Sequence, residues 1–244
     1  MGQGHPAGRH QGAVKAVRLL SGGAAHGLVE QVRPAFEAAT GCTIDGVFGA
    51  VGAMKARLLS GEPADLLVLS RALIDELAHV GHVAAPSVRD IGAVPTAVAL
   101  RTADTPPALD TAGDLRTALR EADEIHFPDP ELSTAGIHFA KVMRELGLWE
   151  PLADRLRPAP NGAAAMSALA ASTSARAIGC TQATEILSTP GIVVAAPLPP
   201  GCALATTYTC AVTGHAAAPQ EAASLIALLT SDADRDARRA LGIA

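Results

Sequence analysis

The sequence predicts an α/β protein of two doubly wound lobes joined by two crossing strands. Three observations carry this. The first eighty residues alternate apolar strand and amphipathic helix as βαβαβα, the order of a doubly wound sheet. One of those strands, 65–69, is apolar on both faces after its leading aspartate, as in a parallel sheet covered by helices on both sides. Two long strands, 93–100 and 203–212, then interrupt the alternation, and each reads as a passage of the chain between lobes.

In order, residues 1–13 are polar, rich in Gly and His, and read as a disordered tail. Residues 14–20 form a first strand. A helix over 24–40 follows, because Leu28, Val32, Ala35, Phe36 and Ala39 keep helical spacing and Gly41 supplies its stop. Residues 42–48 are a second strand, and a helix carries Met54, Leu58 and Leu59 until Gly61-Glu62-Pro63. The third strand leads into a helix over 71–80. The long strand 93–100 contains Pro95, which suits an edge or a crossing segment. Beyond it come a helix 111–121, a strand 124–127, a helix 135–146, short helices 149–156 and 163–171, a strand 175–179, a helix 181–187 and a strand 192–196. Helices 219–230 and 232–241 close the chain after the second crossing strand. Lobe one is expected to hold 14–92 with 213–244, and lobe two, with the crossing strands, 93–212.

Composition narrows the function classes. Of 244 residues, 49% are hydrophobic, so a full core can be buried, and 2% are aromatic, which argues against an aromatic-lined sugar or nucleic-acid groove. A net charge of −5 without a basic run argues against a nucleic-acid partner. No stretch is apolar for the length of a membrane helix, so no membrane insertion is expected. Residues 1–13 lack the apolar segment of a signal peptide. The protein is therefore cytoplasmic if that tail is native and extracytoplasmic if a leader has been removed. Cys42, Cys180, Cys202 and Cys210 show no metal-type spacing and are expected as free thiols, with a Cys202–Cys210 bridge as the exception in an exported protein. No metal and no cofactor are expected.

Four turns of small residues, each expected to open a helix, are the chemical signal. They are Ser21-Gly22-Gly23-Ala24-Ala25-His26, Phe48-Gly49-Ala50-Val51-Gly52, Ser133-Thr134-Ala135-Gly136 and Gly179-Cys180-Thr181-Gln182. Small residues admit a ligand close to the backbone, and the first N–H groups of a helix lack partners in their own helix. Helix starts that converge on one cleft bind an anion without a metal. The expected ligand contacts are Ser21, Gly23, Ala24, Ala25, His26, Ala50, Val51, Gly52, Lys55, Thr134, Ala135, Gly136, His138, Asn161, Cys180, Thr181 and Gln182, with Arg57 as a further cation. Against these stand plainer readings: His26 capping toward solvent, Lys55 on a solvated face, His138 packing between lobes, Cys180 as a buried apolar residue. Asp129 and Glu131 would repel an anion and suit helix capping, and Asp65 orients backbone.

Several longer stretches join these turns: Phe36-Glu37-Ala38-Ala39-Thr40-Gly41, Gly61-Glu62-Pro63-Ala64-Asp65-Leu66, Pro128-Asp129-Pro130 with Thr134-Ala135-Gly136-Ile137, Leu146-Gly147-Leu148-Trp149 and Ala177-Ile178-Gly179. In this order, from about Val14 onward, the chain resembles the type 2 periplasmic solute-binding proteins, and most the molybdate-binding protein of an ABC importer. The resemblance implies the type 2 periplasmic-binding-protein fold, two lobes closing on a small anion, and an ABC transporter membrane component as a partner. The serines that hold the oxyanion in that family fall here near Ala24 and near Ala50 or Val51, and its tyrosine near Cys180; Ser21 is the neighbouring hydroxyl that remains. Each lost hydroxyl removes roughly 0.5–1.5 kcal/mol, more toward a charged ligand. An organic carboxylate therefore fits better than molybdate. The chain is also similar to the aconitate isomerase branch of these proteins. That resemblance implies the alternative of an isomerase shifting a proton on an unsaturated tricarboxylate, with His26 at a helix start as its general base.

Overall fold

The computed structural model describes residues 15–231 and 235–244. The expected tail 1–13, residue 14 of the first strand and the start of the last helix at 232–234 lie outside the described residues. The first half follows the alternation. β1 (Ala16–Gly22) pairs in parallel with β2 (Thr43–Gly49) and β3 (Leu66–Ser70). A 3₁₀ turn, Gly23–Ala25, leads into α1 (His26–Thr40), which ends on left-handed Gly41, φ 68°. α2 (Val51–Leu59) and α3 (Arg71–His79) follow β2 and β3 directly. Every residue of β3 is buried, as its apolar run requires.

β4 (Arg89–Arg101) is longer than the 93–100 read from sequence, and it is the strand both lobes share. Its first part, through Pro95, pairs antiparallel with β9 (Ala205–Val212); from Thr96 on it pairs with β7 (Ala177–Gln182) and, from Ala97, with β8 (Ile192–Pro197). Pro95, which has no N–H to donate, stands where the partner changes. The sheet order is β2-β1-β3-β9-β4-β7-β5-β6, with β8 on β4. Among the described residues β9 pairs with β3 and the first part of β4, so residues 198–204 make the return passage. There Leu198 N–H donates to Thr96 O, and Thr96 N–H donates to Leu204 O.

The second lobe adds α4 (Ala112–Glu121), closed by a Thr111–Asp114 capping box, β5 (Glu124–Pro128) and α5 (Thr134–Glu145). The expected short helix 149–156 is instead a 3₁₀ turn, Ala153–Arg155, and then β6 (Leu156–Ala159), parallel to β5. β6 is an edge strand, which is how it tolerates Pro158. α6 (Gly162–Ala171) is capped by Asn161, whose Oδ1 accepts from Ala164 N–H at 2.9 Å. The helix expected at 181–187 is only α7 (Ala183–Leu187), because Thr181 and Gln182 complete β7 and pair with Ala97 and Thr96. α8 (Pro219–Leu229) and α9 (Arg235–Ala240) close the chain, and Ala244 exchanges two backbone hydrogen bonds with Ala93.

Two apolar cores result. The larger surrounds β1, β3 and β9 and takes in Met166, Leu169 and Ile186 from α6 and α7. The smaller holds Phe127, Phe139, Leu115 and Met143. Beside it Trp149 packs edge-on to Phe127 at 5.9 Å, with the Arg144 guanidinium 4.4 Å over its ring. All four cysteines are free and buried. Asp65 ties the first lobe together. It accepts from Arg18 side chain and backbone and from the N–H groups of Ala217 and Ala218. Burial pushes its pKa up, but these donors outweigh it and hold the carboxyl at about 2. Among the described residues no helix is long and apolar enough to cross a membrane.

Candidate functional site

The four small-residue turns meet in two adjacent pairs. The first pair brings α2 against the start of α5. Gly52 N–H donates to Leu132 O at 2.9 Å, and a Cβ on Gly52 would stand 2.8 Å from that oxygen. Around this contact lies a cleft of about 640 Å³ between the lobes, the size of a small-molecule site. Val51, Lys55 and Ser70 line one wall, Thr134, His138 and Lys141 the other, with Glu131 at its edge. Lys55 Nζ lies 2.6 Å from Glu76 Oε1, and Lys141 Nζ 3.7 Å from Glu145 Oε1. The His138 ring places Nε2 2.7 Å from Cys202 O, so Nε2 carries a proton and Nδ1 is left for another partner.

The second pair meets behind that wall, on the carboxyl group of Glu185. Gly22 lies between Val51 and Tyr208: a Cβ there would stand 2.8 Å from Val51 Cγ1 and 2.9 Å from Tyr208 Cε1. The next residue, Gly23, faces Glu185 Oε1, which a Cβ would approach to 2.5 Å. From the other lobe Thr181 Oγ1 donates to Glu185 Oε2 at 2.6 Å, and the backbone N–H groups of Gln182 and Gly162 point to the same carboxyl. A Cβ on Gly162 would overlap both Glu185 Oε2 and Thr181 Oγ1, so only glycine fits. Burial pushes the Glu185 pKa up to about 7, although Thr181 and the two N–H groups pull the other way. Burial also raises the Tyr208 hydroxyl, and the nearby Glu185 charge adds to that rise.

Three buried polar groups on β7, α7 and β4 are incompletely paired. Gln182 Nε2 donates to Thr206 Oγ1 at 3.1 Å, while Gln182 Oε1 has no partner; the hydroxyls of Thr184 and Thr96 likewise have none among the described residues. Such groups cost about 1–3 kcal/mol each when left dry.

Other expected contacts fall elsewhere. Ser21 is fully buried and its hydroxyl donates to Gly22 O at 2.9 Å, so it faces its own backbone. The His26 side chain is half exposed, tilts against the Phe48 ring at 4.3 Å, and lies 3.8 Å from Glu30. Ala24, Ala25, Ala50, Ala135 and Gly136 are buried small residues at their turns. A Cβ on Gly136 would overlap the carbonyl oxygens of Asp129 and Pro128. Asn161 is spent on its helix cap. Cys180 is buried, which raises its pKa and keeps the thiol neutral. Arg57 pairs with Glu62, and Asp129 Oδ1 accepts from the N–H groups of Glu131 and Leu132. No group of three or more potential metal ligands is assembled among the described residues.

Glu185, Tyr208 and Lys141 were not foreseen. The only signal for Glu185 is its place three residues after Gln182, the spacing of a helix-capping carboxylate, and it does accept the Gln182 N–H. Tyr208 lies 26 residues from Gln182, and β4, paired with both strands, brings them together.

Residues 17–243 match a family model described as bacterial extracellular solute-binding protein. An aconitate isomerase from a Pseudomonas species is 27% identical over 234 residues, 93% of this chain and 86% of that protein. The periplasmic molybdate-binding protein of Azotobacter vinelandii superimposes with a TM-score of 0.75 at 17% identity, over 93% of this chain and 98% of that one. The sulfate-binding protein SubI of Mycobacterium tuberculosis gives 0.72 at 16% identity, over 94% and 86%. Both solved structures carry the same two-lobed fold.

Proposed function

The chain belongs to the bacterial extracellular solute-binding protein family, and from that premise we propose that it binds a small organic polycarboxylate between its lobes. One observation carries the reading: protein oxygens already meet the helix starts that would seat an inorganic oxyanion. Leu132 O takes the Gly52 N–H of α2, and the Glu185 carboxyl takes the Gly162 N–H of α6. A second anion placed at Glu185 meets a carboxyl rather than serine hydroxyls. The accessible space is instead the cleft lined by Lys55, His138 and Lys141, three cationic or donating groups suited to several carboxylates at once. An ABC transporter membrane component is the partner this reading implies.

The test is a thermal-shift panel of molybdate, sulfate, citrate, cis-aconitate and trans-aconitate. Ligand at a hundredfold excess over Kd stabilises by about 2.7 kcal/mol. Stabilisation by a tricarboxylate and none by molybdate is the expected result. Stabilisation by molybdate alone would overturn the reading.

A second reading is favoured by the aconitate isomerase relative, similar along nearly the whole chain. In it the bound acid is unsaturated and undergoes a proton shift.

A further inference from the structure

We propose that His138 is the acid–base residue of that second reading, moving a proton between the two ends of an allylic carboxylate bound in the cleft. The inference rests on the polycarboxylate reading and deepens it, because it names the group on the ligand's own wall that does the chemistry. Three features of the geometry support it. Thr134, His138 and Lys141 follow one another at helical spacing along α5, and all three line the cleft. The ring is held by its far side: Nε2 donates to Cys202 O at 2.7 Å, and that carbonyl, in the return passage between lobes, fixes the tautomer of the neutral ring. Nδ1 is then a bare lone pair. It has no hydrogen-bond partner among the described residues, and unlike Nδ1 of His126 it is not sealed from solvent.

The rest of the cleft suits the same substrate. Lys55 on the opposite wall and Lys141 one turn along α5 offer cations to its carboxylates, while Leu59, Leu132 and Ile137 give exposed apolar surface to the hydrocarbon between them. The step balances without a co-reactant. Nδ1 takes a proton from the CH₂ that lies between a substrate carboxylate and its double bond. That C–H bond breaks, and its electron pair forms a new C=C bond. The former double-bond pair moves to the far alkene carbon, which receives a proton back from the imidazolium. One C–H bond breaks, one forms, and the ring returns to its neutral state. The lysines hold the carboxylates onto which the displaced charge spreads. His26, turned against Phe48 and Glu30, stands outside the walls of this cleft and is not needed for the transfer.

The test follows conversion of cis-aconitate to its trans isomer by NMR, alongside calorimetric binding of the same acid. The wild-type chain should bind it and convert it. His138→Gln keeps an N–H donor for Cys202 O but has no base, and should lower conversion about a hundredfold or more. It should change Kd less than about tenfold, with circular dichroism confirming the fold. His138→Ala should be as slow and should regain rate in proportion to imidazole added to the solution, a rescue that a merely structural ring would not allow. Conversion by His138→Gln at the wild-type rate overturns the inference. So does an equal loss of binding and conversion, which would make the ring a ligand contact only. Binding by wild type without conversion overturns the inference and leaves the polycarboxylate reading standing. Absence of binding overturns the polycarboxylate reading, and the inference with it.

Discussion

Replacing Glu185 with glutamine should make the protein more stable at neutral pH and leave it nearly unchanged in acid. The carboxyl titrates near 4.5 when solvated and at about 7 in the folded chain, where burial disfavours its charge. A raised carboxyl pKa means that the folded state holds the proton more tightly. Stability from this group is therefore intact below about pH 4.5 and lost as pH rises toward 7. The difference of about 2.5 units corresponds to roughly 3 kcal/mol at about pH 8. Glutamine keeps one acceptor for Thr181 and cannot ionise, so it escapes that cost. Any loss from fitting its NH₂ against Gly23 is the same at every pH and cancels when two pH values are compared. Urea unfolding of both chains at about pH 4.5 and pH 8 is the assay. The mutant's advantage should grow by roughly 3 kcal/mol between them, or roughly 6–12 °C in Tm. An advantage that does not change with pH would refute the claim that Glu185 titrates in the neutral range.

Other substitutions probe separate parts of the structure. Asp65 has the opposite sign: its folded pKa is depressed to about 2, so its contribution, roughly 2 kcal/mol, is present above about pH 4 and fades as pH falls toward 2. Asp65→Asn should flatten the acid limb of the stability curve in that window, measured by thermal melts. Gly136→Ala drives a methyl into the carbonyls of Asp129 and Pro128 and should cost more than about 2 kcal/mol in urea. Lys55→Ala should weaken citrate or aconitate binding about tenfold by calorimetry while the melting temperature stays within about 2 °C; an unchanged Kd would place the ligand away from that wall.

The alternation of strand and helix was legible because each signal was local: the all-apolar run Leu66–Leu69, the stops at Gly41 and Gly61, the proline at 95. β6 was not, since Leu156-Arg157-Pro158-Ala159 has no period of its own and becomes a strand only by pairing with β5. Thr181 and Gln182 misled for a related reason. Small and polar residues after a strand read as a helix start, but pairing with β4 extends the strand through both. At the site, the sequence marked the turns and not what fills them. Glycines at 22, 23, 52 and 162 announce a close approach, but whether to a ligand or to the chain itself depends on residues far away. Here the approaching groups are Tyr208, Glu185 and the Leu132 carbonyl, none carrying a motif.

The chain's single tryptophan, wedged between Phe127 and Arg144, makes the protein its own half-molecule fluorophore. Trp149 belongs to the smaller core and is absent from the cleft wall, so its emission follows the melting of that core. Circular dichroism follows the helices of both lobes. When the two curves are overlaid, coincidence means that the shared strand β4 couples the lobes into one cooperative unit. A gap between them measures how far one lobe outlives the other, with no label added to the chain.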